Sequence, residues 1–178
     1  MPWDGDGNFT WERFDERYTS DLANDLGNLA NRTLSMVHRY RGGIVPAGAT
    51  TPLDRAAREV IAQYSERMDR YLLHEGAAIA LRLVSEANSF IETRAPWKLA
   101  RDPSLATQLD ETLASLVRTL AVTSVLLFPF MPGKMTQLWE SLGSESEMGD
   151  LKGLGAVNVT NWSVAARAVL FPRPETGT

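Results

Sequence analysis

Leu105, Leu109, Leu113, Leu116 and Leu120 recur every three or four residues. That interval is the period of an α-helix, so one stripe of this segment is apolar and has to be covered. The interval returns three more times. Leu22, Leu26, Leu29, Met36 and Val37 carry it, then Ala57, Ile61, Tyr64, Met68 and Tyr71, then Ala77, Leu81, Val84, Asn88 and Ile91. No sustained two-residue alternation of the strand kind stands beside these stripes. Several amphipathic helices joined by short connections cover one another best as antiparallel neighbours, and the pattern predicts an all-α bundle of about five helices.

Breakers set the expected boundaries. A short helix is expected from Thr10 to about Tyr18. A second begins at Ser20, a good N-cap, and ends at Gly42-Gly43 after Arg41. Thr51-Pro52 and Asp102-Pro103 each set a capping side chain before a proline at the first helical position. Gly76 marks a break or bend before a helix from about Glu75 to Arg94, which Pro96 stops. Phe128-Pro129-Phe130-Met131-Pro132 forms a rigid corner, followed by a last helix from about Gly133 to Leu142. Residues 148–178 lack periodicity, although Ala168 to Pro172 has the apolar character to pack as a short extended segment. The resulting division is a linker over 1–9, a helical domain over 10–143 and an irregular tail over 144–178.

Composition removes several kinds of chemistry. The chain of 178 residues has no Cys, and its two His stand at 38 and 74. Disulfides, thiolate metal sites and thiol nucleophiles are therefore excluded. Asp4, Asp6 and Asn8 begin like a calcium loop, but Phe9 stands where the loop needs Gly, and no metal is expected. His38 has no carboxylate at helical spacing to orient it and reads as a surface residue. No phosphate-binding glycine loop or nucleophile elbow occurs, so no catalytic residue is expected. The start of the chain lacks a signal-peptide pattern, and the most apolar run, Leu120 to Met131, is shorter than a membrane span. A soluble cytoplasmic chain that meets no membrane is expected.

Net charge is −4, so a uniformly basic coat is excluded, but a local basic patch is not. Between Asn28 and Val45 stand Arg32, Arg39 and Arg41 with no acid, and between Arg94 and Arg101 stand Arg94, Lys98 and Arg101 with no acid. Asn28 and Arg32 are four apart and share one helix face. Trp97 follows Pro96 just past a helix end. Unpaired RNA bases are recognised by stacking on aromatic rings and by hydrogen bonds to their edges, which these side chains supply. A Trp face is worth about 1–3 kcal/mol per stacked base. The competing reading makes Trp97 a core anchor and the arginines a solvated helix surface.

Three stretches resemble the anticodon-binding domain of bacterial-type methionyl-tRNA synthetases. They are Phe14 to Arg32, which includes Asn28-Leu-Ala-Asn-Arg32; Asn88 to Ala100, which includes Ala95-Pro-Trp97; and Leu127-Phe-Pro-Phe-Met-Pro132 with Leu138-Trp-Glu-Ser-Leu-Gly143. The resemblance runs from about residue 9 to 143, and Phe171-Pro-Arg173 fits a bacterial family tail. It implies that Asn28 and Arg32 read the CAU anticodon, that Trp97 stacks on an anticodon base, that Pro96 positions it and that Glu92 assists. A second family carboxylate has Ser85 in its place. Arg39, Arg41, Lys98 and Arg101 are then expected to neutralise phosphates. The family's ATP-site signatures are absent, so the chain resembles the C-terminal part of a methionine–tRNA ligase, itself non-catalytic and without a cofactor. ATP, methionine and, in some relatives, zinc would belong to the absent catalytic part. The expected partners are the anticodon loop of tRNA(Met) and a catalytic domain of the same synthetase, with the chain monomeric. The alternative is a helical protein-interaction module that kept the bundle and lost anticodon reading.

Overall fold

A computed structural model of the chain describes residues 10–144, 147–149, 151, 153–168 and 170–172. The expected linker over 1–9 lies outside them, as does Arg173. The described residues form an all-helical bundle without strands. Its elements are α1 (Trp11–Arg17), a π-helical stretch (Tyr18–Gly27), α2 (Asn28–Arg41), α3 (Pro52–Asp69), α4 (Leu73–Arg94), the short α5 (Pro96–Leu99), α6 (Ala106–Leu127) and α7 (Pro132–Ser141).

The leucine stripe belongs to α6, and burial there exceeds one face. Every residue from Thr112 to Leu127 except Arg118 is buried. Between Thr119 and Leu127 the helix has no charged residue, so all its sides can enter an apolar interior. Its hydroxyls bond back to the helix: Thr112 Oγ1 donates to the Gln108 carbonyl at 2.7 Å and Thr123 Oγ1 to the Thr119 carbonyl at 2.8 Å. Such back-bonding satisfies a polar group that would otherwise cost about 1–3 kcal/mol to bury. The helices α2, α3, α4 and α7 surround this rod.

The start of the bundle departs from expectation. Thr10 caps α1, accepting from the Arg13 N–H at 3.2 Å, but Ser20 caps nothing. Ser20 Oγ donates to the Asp21 carboxylate at 2.6 Å, and the chain runs on as one helical rod from Trp11 to Arg41. No proline or competing cap interrupts it, and the π-helical stretch carries the chain through without a break. Wide turns of this kind are uncommon and occur frequently at functional sites. Gly42, at φ 62°, closes α2 with its N–H bonded to the His38 carbonyl.

Thr51 caps α3 as expected, within a capping box shared with Asp54. The helix ends at Asp69, so Tyr71 leaves the apolar stripe and stands exposed at φ 59°. The break therefore lies before Leu73, and Gly76 sits inside the first turn of α4. A Cβ at Gly76 would lie 2.7 Å from Met68 Sδ, so the residue serves the close approach of α3 and α4. A 3-10 turn, Pro103–Leu105, follows Asp102 before α6 begins.

Beyond α7 the chain returns along the bundle as a strap. Val159, Val164, Ala168, Leu170 and Phe171 are buried. Ile44 and Ser163 form an isolated antiparallel bridge, and the Val45 N–H donates to the Trp162 carbonyl at 2.9 Å. His38 is accordingly half-buried rather than a surface residue, with Nε2 2.8 Å from the Val164 carbonyl. Gly143, at φ 82°, passes so close to the strap that a Cβ would lie 2.0 Å from the Ser163 carbonyl oxygen.

One buried ionic cluster ties α3 to α6. Arg118 Nε donates to Asp54 Oδ1 at 2.6 Å, and the Ser115 hydroxyl donates to Asp54 Oδ2. The Thr51 N–H bonds the same carboxylate at 2.6 Å. Burial by itself would push the Asp54 carboxyl up. The bonds from Arg118, Ser115 and Thr51 outweigh that and hold it below its ordinary value.

Two outcomes are expected. Gly143→Ala forces both a strained φ and a backbone clash, and should cost about 1–3 kcal/mol in urea unfolding while loosening amide-exchange protection over 159–164. A depressed carboxyl contributes stability that is whole above the unfolded value of about 3.9 and is lost as pH falls toward the lower folded value. The stability gap between the parent chain and Asp54→Asn, measured by urea midpoints, should therefore be widest near neutral pH and narrow below about pH 4.

Candidate nucleic-acid interface

Residues of α2 spaced by three or four share a face, which puts Asn28, Arg32, Ser35 and Arg39 in a row on one side of the rod. Asn28, Ser35 and Arg39 are exposed, and Arg32 is partly covered. The row runs about 17 Å along the helix axis at 1.5 Å per residue. Trp97 is brought to it by the end of α4. Ala95 takes φ 45°, in the left-handed region that an L-residue adopts only at a cost, and the next residue is Pro96. That reversal ends α4 and starts α5 with Pro96 buried and Trp97 turned outward, 36% exposed.

Arg32, Ser35, Met36, Arg39, Tyr40 and Trp97, with Asn31, line one concave groove of about 370 Å³. Two cationic side chains and an accessible indole thus share a single recess. Arg32 donates through Nη2 to Glu92 Oε1 at 2.6 Å, which links α2 to α4 across the groove's margin. Their side chains are 41% and 62% exposed, so this pair holds orientation more than it stabilises. Arg39 lies with its guanidinium 5.7 Å from the Tyr40 ring centre.

The other residues singled out from the sequence divide. Lys98 and Arg101 are exposed, with no ion-pair partner among the described residues. Arg41 is turned inward and engaged: Nε donates to Asp110 at 2.5 Å and Nη1 to the Tyr40 carbonyl at 2.6 Å. Asn28 is exposed but lines a second recess beside the groove, and Asn31 borders both. Ser85 is exposed on α4.

Sequence reasoning passed over Asn31, Ser35, Met36 and Tyr40. Ser35, three residues after Arg32, was within reach of the same three-or-four spacing that joined Asn28 to Arg32, whereas Asn31 shows its place only through its contacts. Asn31 Nδ2 donates to the Gly27 carbonyl at 3.2 Å, and its Oδ1 accepts from the Ala168 N–H at 3.2 Å. The side chain therefore couples the π-helical stretch, α2 and the strap. Asn88 adds a tie from α4, donating to the Asp25 carbonyl at 3.3 Å. No helix among the described residues is long and apolar enough to cross a membrane, and no cluster of His, Asp and Glu among them has metal-site spacing.

The fold and groove define a helical bundle that carries an aromatic, cation-bearing recess on α2. No protein-family model matches the chain. It is 36% identical to a methionine–tRNA ligase of Streptomyces coelicolor, over 96% of this chain and 34% of that protein. It is also 36% identical to one of Enterococcus faecalis, over 98% of this chain and 27% of that protein. The crystal structure of the free-state methionyl-tRNA synthetase of Mycobacterium tuberculosis superposes with a TM-score of 0.87 at 26% identity, covering 97% of this chain and 36% of that one. The chain thus spans about a third or less of the length of these relatives. Along nearly all of its own length it is similar to methionine–tRNA ligases, of which it spans only a part.

The arginines of α2 should separate by their contacts. Glu92→Ala removes an exposed pair and should change the urea unfolding free energy by less than about 1 kcal/mol. Arg41→Ala strips Asp110 and the Tyr40 and Ala106 carbonyls of a charged donor and should cost about 1–3 kcal/mol in the same measurement.

Proposed function

We propose that this chain binds tRNA(Met) by reading its CAU anticodon, as the tRNA-selecting domain of a methionine–tRNA ligase. The observation that carries the reading is the accessible Trp97 ring sharing one groove with Arg32 and Arg39. A core anchor would have its indole buried, so the exposed ring favours this reading over the protein-interaction module, which rests on the acidic net charge and on Ser85 in place of a carboxylate. The likeness to methionine–tRNA ligases favours the same reading.

Recognition divides by chemistry. A splayed base stacks on the Trp97 face, which Pro96 fixes from beneath. Arg32 offers paired N–H donors to a base edge, and its bond to Glu92 sets the plane in which they point. When a base engages Arg32, Glu92 remains as an acceptor for an exocyclic amine, such as that of cytosine or adenine. Asn28 presents an amide one turn earlier. Arg39, Lys98 and Arg101 neutralise phosphates, and Arg41 takes part only if it leaves Asp110. In the ligase as a whole, activation of methionine with ATP, and zinc where a relative holds it, belong to a catalytic part beyond these residues, which is this domain's expected covalent partner in a cytoplasmic, monomeric enzyme.

The test is a titration of the chain with an anticodon hairpin bearing CAU and with the same hairpin with its three bases permuted. Trp97→Ala should cost about 1–3 kcal/mol of CAU binding and erase most of the preference. Arg39→Ala should weaken both hairpins alike and reduce the salt dependence. An equal loss on both hairpins from Trp97→Ala, or none, would refute the role given to the ring.

A further inference from the structure

The recess beside the groove is built by two parts of the chain far apart in sequence. Gly27, Asn28 and Asn31 form one wall, while Arg167, Phe171 and Pro172 of the strap form the other. Its volume is about 210 Å³, and Asn31 borders both this recess and the Trp97 groove. The two depressions thus adjoin along α2, so a strand lying in the groove meets the recess at the helix's N-terminal end. The strap is held at a fixed height there: the Ala168 N–H bonds Asn31 Oδ1 at 3.2 Å, and Leu170 and Phe171 are buried. Lys134 Nζ stands 6.0 Å from the Phe171 ring centre on the same strap.

Arg167 lies one residue before Ala168, the residue tied to Asn31. It is exposed and has no ion-pair or hydrogen-bond partner among the described residues. Of the thirteen other described arginines, eight hold a carboxylate: Arg17, Arg32, Arg41, Arg67, Arg70, Arg82, Arg94 and Arg118. A guanidinium left free on a segment pinned against α2, beside an exposed Asn amide, is placed for an anion carried by whatever lies along that helix. We infer that the strap completes the RNA-binding face, and that Arg167 takes a backbone phosphate of the single-stranded loop as the strand passes from the Trp97 groove into the Asn28 recess. This inference rests on the anticodon-binding reading above. It makes the C-terminal segment part of the interface as well as a brace for the bundle.

The experiment is the same pair of hairpins titrated at several salt concentrations against the parent chain, Arg167→Ala and Arg167→Lys, with thermal melts of each. Arg167→Ala should weaken both hairpins by a common factor of roughly three to ten and lower the slope of log affinity against log salt by about 0.7, the value for one single-strand phosphate. Arg167→Lys should restore most of both, and all three proteins should melt together because the side chain holds no hydrogen bond or ion pair among the described residues. A parent chain that prefers CAU, with Arg167→Ala unchanged in affinity and slope, overturns this inference and leaves the function standing. A loss confined to the CAU hairpin, or one accompanied by a lower melting point that Lys does not recover, also overturns it. A parent chain that binds neither hairpin overturns both readings.

Discussion

The all-round burial of α6 is the constraint on which the rest of the molecule depends. A helix apolar on every side has no stable place on a surface, so four other helices must enclose it, and each needs only one apolar stripe to do so. Those helices keep an outer face free for polar residues. On α2 that division puts Leu29, Thr33, Leu34 and Val37 inside and Asn28, Ser35 and Arg39 outside. The candidate interface is thus the solvent side of a helix whose other side is locked against the core. A reading surface gains from such rigidity, because side chains on a fixed helix lose less freedom when they meet a ligand.

Local backbone strain falls where Trp97 is aimed. Ala95 at φ 45° costs something that a glycine would avoid, and the fold tolerates it because Pro96 is buried and the Ala95 N–H still bonds the Ile91 carbonyl at 2.9 Å. The reversal turns the indole outward at the one level of the bundle where Arg32 and Arg39 lie across from it. The π-helical stretch before Asn28 belongs to the same region, tied by Asn88 on one side and Asn31 on the other. One unusual backbone feature therefore stands beside the groove and the other borders the recess next to it.

Charge is sorted by engagement more than by position. The basic segments looked alike in sequence, yet Arg41 and Arg94 point into the structure, toward Asp110 and toward Thr112 and Glu111, and serve stability. Arg32 is half committed, to Glu92. Arg39, Lys98, Arg101 and Arg167 keep their charge for solvent or a partner. An acidic chain can thus present a small cationic face, because its carboxylates neutralise the structural arginines and leave the others.

By itself the sequence determined the long helices, most of their ends and the shared face of Asn28 and Arg32. These follow from local rules: a period of 3.6, a cap before a proline, a glycine pair after α2. The same local rules placed a cap at Ser20, kept Tyr71 in a stripe and put His38 on the surface. In each case the deciding contact lay elsewhere: a helical rod continuing through wide turns, the turn between α3 and α4, and a strap arriving from 126 residues away. Only the tertiary structure decided which arginines are free, that Asn31 joins α2 to the strap, and that Arg167 lies beside Asn28. Those facts depend on which residues meet across the bundle, and a one-dimensional period says which way a side chain faces but not what it will find there.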